Sequence, residues 1–464
     1  MEDNYQLITK TVAGLEEVLA AEIRNLGAKN VRVMHRAVIC EGNKEMMYRL
    51  NYCVRTGLKV LKPFKTFFAK NPDELYKKIQ EIQWWELLRT DQTFCIDAVT
   101  SGRFFTHSQY AALKAKDAIV DQFRDVMGPR PSINTLNPDL RINLHIREDK
   151  VQILFDSSNE SLHHRGYRKQ VDKAPMNEVL AAGLIQLSGW KADCNFLDCM
   201  CGSGTLPIEA AMYAMKIPAG YYRKQWGFMK WDDWDPELWK KVKEEADNQI
   251  CEFDYEIWAS DRSPKAVAIA EGNIANAHLQ HDIHLMKKNM EDLTPPEEGG
   301  IVIINPPYGD RLEEDDIDRV YENIGNTLKH NFQGYQCWLI TDDAVALKHV
   351  GLKPSAKIPV WNGPLECRFV RFDIFGGSLK QVAVMKSIVL TERMATAFSY
   401  VRSPSLTPTD LTGRRTANVC DVFSSQPDFL SSSRTIASAS RRMSSFALVS
   451  SPRQRTPKPG PGNG

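Results

Sequence analysis

Two short segments carry residue types that could perform chemistry on a bound molecule. In the first, residues 198–204, an aspartate ends an apolar strand and Gly202 and Gly204 follow. Glycine lets a backbone come close to a ligand, where any Cβ would clash. A dinucleotide site requires a third glycine three residues later, but Pro207 stands there. Asp198 would repel a pyrophosphate but not a sulfonium amino acid, so the segment favours S-adenosyl-L-methionine as the cofactor.

Further positions complete the predicted cofactor site. An acidic residue at the end of the next strand is expected to hold the ribose hydroxyls, and Asp261 ends the strand that begins at residue 257. It comes late because residues 213–255 are inserted first. The strand after that ends at Asn289, whose side chain could bind the adenine edge. The predicted cofactor-binding residues are Asp198, Cys199, Cys201, Gly202, Ser203, Gly204, Asp261, Arg262, Asn289, Met290 and Asn305.

The second segment, Asn305-Pro306-Pro307-Tyr308, directly follows four β-branched residues. That run predicts a buried strand that the prolines end at its carboxyl end, where open α/β sheets bind ligands. An exocyclic amine is a weak nucleophile because its lone pair is delocalised into the ring. The Asn305 side-chain oxygen and the Pro306 carbonyl could accept its two N–H bonds, in a geometry that prolines hold rigidly. Tyr308 offers a face for an extruded base. The segment therefore predicts methylation of an exocyclic amine.

The elements that position these segments follow two patterns. Residues 1–65 and 66–157 each mix strands with helices. Apolar residues at helical spacing predict helices over 14–26, 72–82 and 108–126, and alternation predicts hairpins over 31–39 and 141–155. From 158 to 384 strands alternate with helices, which is typical of an α/β fold with a parallel sheet. Its predicted strands are 195–198, 256–259, 283–285, 301–304 and 336–340.

Residues 385–464 have a different composition from the rest of the chain. The stretch from Ser399 onward is rich in Ser, Arg, Thr and Pro and lacks periodicity. Such a segment buries too little apolar surface to fold, so a disordered tail is predicted. A basic arm that contacts RNA and an abnormal C-terminus are the alternatives.

Composition limits the class of protein. A chain of 464 residues suggests about three domains. It contains no apolar run long enough for a transmembrane helix, and its polar N-terminus is not a secretory signal. The ten scattered cysteines are typical of a cytoplasmic protein with reduced thiols. With a net charge of +1, any nucleic-acid surface must be a local patch.

Basic and aromatic residues suggest where RNA could bind. The stretch 221–231 alternates the two types, which suits stacking on splayed bases and contact with phosphates. Aromatic packing against the sheet is an equal alternative there, and a solvated linker is the alternative for the basic residues before the catalytic region. The candidate RNA-binding residues are Arg165, Arg168, Lys169, Arg223, Lys224 and Trp226.

Three histidines at three-residue spacing, His278, His281 and His284, suggest a metal site. The first closes a predicted helix and the last begins a predicted strand, so one geometry cannot unite them. No metal is therefore predicted.

With these residues in place, the chain resembles the THUMP-domain class I RNA methyltransferases, in particular the bacterial large-subunit ribosomal RNA N2-guanine methyltransferases. The resemblance covers residues 1 to about 384. It rests on the two segments above together with 107–110, 161–168, 174–175 with Glu178, and 362–368.

The resemblance implies an N-terminal ferredoxin-like region, a THUMP RNA-binding domain and a Rossmann-like methyltransferase domain. It implies that 198–204, Asp261 and Asn289 bind S-adenosyl-L-methionine, that 305–308 is the catalytic motif, and that the substrate is structured RNA, foremost ribosomal RNA. The family often has Asp where Asn289 stands. The tail of this sequence has no recognised counterpart in the family. The bifunctional members of the family carry a second methyltransferase domain that has no counterpart in this sequence.

Several other functions remain as alternatives. Transfer RNA guanine N2-methylation keeps the same chemistry, and DNA adenine or cytosine methyltransferases use the same motif. The N-terminal regions favour RNA over DNA. An RNA-binding protein with a degenerate methyltransferase domain would be expected to have lost Asn305 or Asp198, and both are present. Pro207 disfavours a nicotinamide-dependent oxidoreductase.

Overall fold

The structure, a computed structural model, describes residues 4–170, 176–296, 299–307 and 314–375. Tyr308 and the predicted tail lie outside these residues, so the expectations for them are not addressed by the structure. Within the described ranges, no helix is both long and apolar enough to cross a membrane.

The first part of the chain builds one mixed sheet with helices packed on it. The predicted helices and hairpins are present, and Ile142 pairs with Phe155 across the second hairpin, as the alternation predicts. The elements are β1 (Tyr5–Lys10), α1 (Glu16–Asn25), β2 (Lys29–Met34), β3 (Ala37–Gly42), α2 (Lys44–Cys53), β4 (Lys59–Phe68), α3 (Pro72–Gln80), β5 (Thr93–Ser101), α4 (Ser108–Met127), β6 (Ser132–Ile133), β7 (Leu140–Arg147) and β8 (Lys150–Asp156). The strand order is β2-β3-β1-β4-β8-β7-β5-β6.

Strand β4 joins the two N-terminal regions into that single sheet. Its Leu61 pairs with Ile8 of β1 on one side and with Asp156 of β8 on the other. A β-bulge between Pro63 and Lys65 accommodates the proline, which has no N–H to donate to a ladder. The ferredoxin-like and THUMP domains are therefore continuous through backbone hydrogen bonds.

The second part of the chain has the predicted alternation of strands and helices. Its elements are α5 (Glu178–Leu187), β9 (Asn195–Asp198), α6 (Thr205–Ala214), α7 (Pro236–Asp247), β10 (Ile257–Asp261), α8 (Pro264–Asn276), β11 (Ile283–Lys287), β12 (Gly300–Ile304), α9 (Glu314–Asn331), β13 (Gln336–Thr341), α10 (Ala346–His349), β14 (Ala356–Asn362) and β15 (Leu365–Asp373). The sheet order is β11-β10-β9-β12-β13-β15-β14.

The five strands β9 to β13 are parallel, whereas β15 pairs antiparallel with both β13 and β14. This final hairpin was not predicted, although residues 362–368, which contributed to the resemblance, contain its turn and the start of β15. Residues 301–304 of β12 are almost completely buried, as their β-branched run predicts. The order reverses between β9 and β12, and ligands of open α/β sheets bind at such a point, beyond the carboxyl ends of the strands.

The insertion before β10 packs against the ferredoxin-like domain. Trp226 is only 3% exposed, and its ring lies 4.7 Å from that of Trp239. Trp239 meets Tyr52 edge-on at 5.4 Å, and Phe228 lies 4.5 Å from Tyr48. The prediction that Trp226 stacks on RNA is therefore wrong, because its ring belongs to an aromatic core between two domains.

Candidate active site

A cavity of about 500 Å³ lies beyond the carboxyl ends of β9, β10 and β12. This volume is within the usual range for small-molecule sites. All the residues predicted to bind the cofactor line it, with the exception of Gly204. Lining residues that the sequence analysis did not name include Met176, Met200, Glu291, Val320, Asn323 and Ile324. The last three belong to α9, far along the chain from both segments, and nothing in their types pointed to the site.

The two glycines of the first segment have different roles. Gly202 has a φ of +52°, and its N–H donates to Asp261 Oδ2 at 2.9 Å. Gly204 precedes α6 with a φ of +81°, and a Cβ there would come within 3.2 Å of the Ala270 Cβ. Gly204 thus allows α6 and α8 to pack closely. Both glycines were expected to make room for a ligand. Of the two, only Gly202 lines the cavity.

Asp198 is a buried carboxyl group on the cavity wall. It is 2% exposed, and its Oδ1 accepts a hydrogen bond from the Met200 N–H at 3.1 Å. Burial, and secondarily the charge of Asp261, raise the pKa of Asp198 to about 8. A cationic ligand group beside this carboxyl would favour its ionised form. The site therefore fits a cofactor that carries positive charge.

Asp261 ends β10 and accepts two backbone hydrogen bonds. Besides the Gly202 bond, its Oδ1 accepts from the Ser263 N–H at 2.8 Å. Each carboxylate oxygen has a second lone pair, so both can still accept from ribose hydroxyls. The neighbouring Arg262 is exposed and also lines the cavity.

The two residues predicted to contact adenine also belong to the cavity wall. Asn289 and Met290 both line the cavity; Met290 is buried, whereas Asn289 is exposed. The Asn289 amide donates to Asp292 at 3.2 Å, which fixes its orientation. Its role in binding adenine stays a prediction.

Asn305 immediately follows β12 and lines the cavity with Pro307. Its Oδ1 is buried and has no hydrogen-bond partner among the described residues. A buried hydrogen-bond acceptor without a partner lowers the stability of a fold by about 1–3 kcal/mol. A donor supplied by a substrate would remove that cost. Pro306, between them in the chain, is buried and is not among the residues that line the cavity.

The cysteines of the first segment, Cys199 and Cys201, are buried in the cavity wall. Burial raises the pKa of both thiols well above its usual value, so they are neutral. Across the described ranges, no group of three or more His, Cys, Asp or Glu side chains is arranged to hold a metal ion.

Comparison with known proteins agrees with this geometry. Residues 6–61 match the RlmL ferredoxin-like domain, residues 69–156 the THUMP domain, and residues 165–371 the RMKL-like methyltransferase domain. A Synechocystis protein provisionally named an RNA methyltransferase is 35% identical over 368 residues, which cover 79% of this chain and 96% of that protein. The chain belongs to the THUMP-domain class I RNA methyltransferases. This family uses S-adenosyl-L-methionine as the methyl donor.

Other relatives of this RNA methyltransferase are longer. The Ribosomal RNA large subunit methyltransferase K/L of Syntrophotalea carbinolica is 35% identical over 399 residues, which cover 81% of this chain and 55% of the relative. The chain thus spans about half the length of the K/L relatives it matches. Among solved structures, SMU.472, described provisionally as a methyltransferase and complexed with SAH, is 27% identical with a TM-score of 0.73. The match covers 82% of this chain and all of that one.

The structure changes the interpretation of Arg165 in this methyltransferase. Its side chain is 1% exposed, pairs with Glu209 at 3.3 Å and donates to the Leu162 carbonyl at 2.8 Å. It also donates to the carbonyl of Arg55 in the ferredoxin-like domain. The prediction that Arg165 binds RNA is wrong, because its side chain instead fixes the interdomain linker (residues 157–177, between β8 and α5) to α6.

Two further arginines are held by protein groups. Arg168 pairs with Glu178 at 3.2 Å and donates to Thr205 Oγ1. Arg223 donates to backbone carbonyl oxygens, including that of Ser158 at 2.7 Å. Most of their donors are committed in this way, and RNA contact by Arg168 or Arg223 stays a prediction.

The side chains of the remaining two candidates, Lys169 and Lys224, are exposed. Their accessibility is compatible with RNA contact, which stays a prediction for both.

Proposed function

We propose that this protein transfers a methyl group from S-adenosyl-L-methionine to the exocyclic N2 amine of a guanine in large-subunit ribosomal RNA. The unpaired buried acceptor at Asn305 carries the proposal, because it lies on the cofactor cavity and matches the donor that an exocyclic amine offers. The THUMP domain and the names of the K/L relatives support ribosomal RNA as substrate.

Bound S-adenosyl-L-methionine would supply an electrophilic methyl group on a positively charged sulfur. Asp198 would balance that positive charge, Asp261 would hold the ribose, and Asn289 with Met290 would contact the adenine. These roles fit the two carboxyl groups and the convergence of all four residues on one cavity.

The chain's own contribution to the reaction is orientation of the amine. Asn305 Oδ1 accepts one of its N–H bonds, which localises the lone pair toward the methyl carbon. The Pro306 carbonyl stays the predicted acceptor of the other N–H bond, although Pro306 is not among the residues that line the cofactor cavity. The cofactor would supply the methyl group as its S–C bond gives way to the new N–C bond, and the proton of the methylated amine would pass to water. A strong general base is unnecessary, because that amine is acidic once methylated.

The direct test is nucleoside mapping. Ribosomal RNA from a strain that lacks this protein should lose one N2-methylguanosine from the large-subunit RNA, and expression of the protein should restore it. The cytoplasm, where ribosomal RNA of bacteria is modified, is the corresponding proposed location. Loss of the modification from transfer RNA alone would contradict the proposed substrate.

A further inference from the structure

A second cavity, the polar cavity, lies where the interdomain linker meets the insertion. Its volume is about 700 Å³. Its walls come from residues 160–168 of the linker, from Asn177 and Glu178 at the start of α5, and from residues 222–225 of the insertion. Polar and charged side chains dominate these walls, which disfavours an apolar ligand or a protein-docking role.

The wall of the polar cavity carries more cations than carboxylates. Four cationic side chains, Arg165, Arg168, Arg223 and Lys224, face two acidic ones, Glu160 and Glu178. Two of the cations are compensated: Arg165 by Glu209 outside the lining and Arg168 by Glu178. Arg223 and Lys224 of the insertion then face one remaining carboxylate, Glu160, so a net excess of one positive charge resides on the insertion.

Arg223 is the clearest source of that excess charge. Its guanidinium donates to the carbonyls of Gln225, Ser161, Ser158 and Glu160, all neutral groups. In the described part of the chain it has no carboxylate within ion-pair distance. Burial lowers its pKa only to about 10, so the group remains charged at neutral pH.

The pKa of His163 is also affected by the positive charges around the polar cavity. Burial, followed by the charges of His164, Arg165, Arg168 and Arg223, lowers the pKa of His163 to about 4. Its ring is neutral at physiological pH, and its Nδ1 lies 2.8 Å from Ser161 Oγ, which itself donates to the Leu58 carbonyl. The one N–H of the ring is therefore directed to Ser161 and not into the cavity. Lys224, exposed at the cavity, adds a mobile ammonium group. Together these groups suit a singly charged anion with several acceptor oxygens.

The polar cavity shares a wall with the cofactor cavity. Arg168 Nη2 donates to the Met176 carbonyl at 2.9 Å and to Thr205 Oγ1 at 2.5 Å. Met176 and Thr205 line the cofactor cavity, whereas Arg168 and the adjacent Asn177 line the polar one. The two cavities are therefore neighbours, separated by the Arg168 side chain and its hydrogen bonds.

We propose that the polar cavity binds a phosphodiester of the RNA substrate next to the methylated nucleotide, with Lys224 as the contact and Arg223 as the source of the positive field. This inference rests on the proposed function. In this proposal Lys224 contacts the phosphate directly. Arg223 attracts the phosphate through its charge, which requires no free N–H donor.

The test compares Lys224→Ala and Lys224→Glu with the control Lys240→Ala, which removes an exposed lysine of α7 in the same insertion. The probes are a large-subunit ribosomal RNA transcript and a uridine dodecamer. Loss of one phosphate contact lowers the slope of log affinity against log salt by about 0.7–0.9. We expect that change in slope for Lys224→Ala and a larger loss of RNA affinity for Lys224→Glu. In both variants the KM for RNA should be roughly 3- to 10-fold higher, whereas kcat and cofactor affinity should be unchanged.

The outcomes separate this inference from the proposed function. An unchanged salt slope and KM in both Lys224 variants would overturn the phosphate site. Tight binding of inorganic phosphate that depends on Lys224, with RNA affinity unaffected, would show a free-anion site and would also overturn it. If the wild-type protein does not methylate the transcript, the proposed function fails, while dodecamer binding still tests the cavity.

Discussion

The carboxylate of Asp261 accepts a hydrogen bond of 2.9 Å from the backbone N–H of Gly202, 59 residues earlier in the chain. The bond joins the loop after β9 to the end of β10. It requires the left-handed φ that glycine adopts easily, and it orients the acid toward the cavity. The glycine loop and the acid therefore form one structural unit.

Asp261→Ala should weaken S-adenosyl-L-methionine binding by about 100-fold or more. The reason is the loss of charge-assisted hydrogen bonds to the ribose, each worth roughly 1.5–3 kcal/mol, together with the bond that fixes the loop. Calorimetric titration measures the affinity. Asp254→Ala, which removes an exposed acid outside the cavity, is the matched control and should bind normally. Equal affinities for the two variants would remove the assignment.

Cofactor binding should release nearly one proton at pH 7. The pKa of Asp198 is about 8 in the cofactor-free protein, and a positively charged ligand should return the carboxyl to its ionised form. Calorimetry in buffers of different ionisation enthalpy measures the release, which Asp198→Asn should abolish. Release that is the same in Asp198→Asn would argue against this residue as the counter-charge.

The same pKa shift sets a pH dependence of stability. A carboxyl whose pKa is raised on folding stabilises the fold below its unfolded pKa of about 4 and loses that contribution as the pH rises through about 8. The cofactor-free wild type should therefore lose stability relative to Asp198→Asn between pH 4 and pH 8, measured by urea unfolding. A constant difference over this range would contradict a buried, protonated Asp198.

Arg165→Met should destabilise the protein by about 3–5 kcal/mol, because it leaves Glu209 buried without its cation. Urea unfolding measures the change. Lys169→Met, four residues later and exposed, should leave the stability within about 0.5 kcal/mol of wild type. If Arg165→Met instead folds normally and loses only RNA affinity, Arg165 is an RNA contact after all.

Trp226→Ala should cost about 3–5 kcal/mol of stability, since it opens a cavity between the insertion and the ferredoxin-like domain. Trp226→Phe should retain much of that stability. Tyr221→Ala, which truncates a partly exposed ring of the same insertion, is the control and should have a small effect. Unchanged thermal unfolding of Trp226→Ala would contradict the role of this ring in joining the two domains.

Local sequence patterns predicted the elements whose side chains alternate or repeat cleanly. The hairpin over 141–155 and the buried strand 301–304 are examples, because burial of one face or both leaves a direct pattern. Strand β4 lacks such a pattern, since Pro63 and its lysines interrupt it, and only pairing with β1 and β8 makes it a strand.

The residues of the site could be predicted where they directly follow a strand, as residues 198–204 and Asn305 do. Residues whose position depends on contacts between distant elements could not. The sequence gives Arg165 and Trp226 the same appearance as surface RNA-binding residues. Their burial depends on partners far away in the chain: Glu209 for the arginine, and Trp239 with Tyr52 for the tryptophan. Tertiary contacts of this kind leave no local pattern.

The proposed mechanism depends above all on a hydrogen bond from the attacked amine to Asn305 Oδ1. Single-turnover methylation of ribosomal RNA by wild type, Asn305→Ala and Asn305→Asp, with mass spectrometry of the product nucleoside, tests it most directly. We predict a fall of about 100-fold or more for Asn305→Ala, the scale for loss of one preorganised polar contact. Asn305→Asp keeps an acceptor and should retain much more activity, and cofactor and RNA affinities should change little. The product should be N2-methylguanosine. Equal rates for wild type and Asn305→Ala would contradict the mechanism, and a methyl group on a ring carbon or a ribose would contradict the reaction.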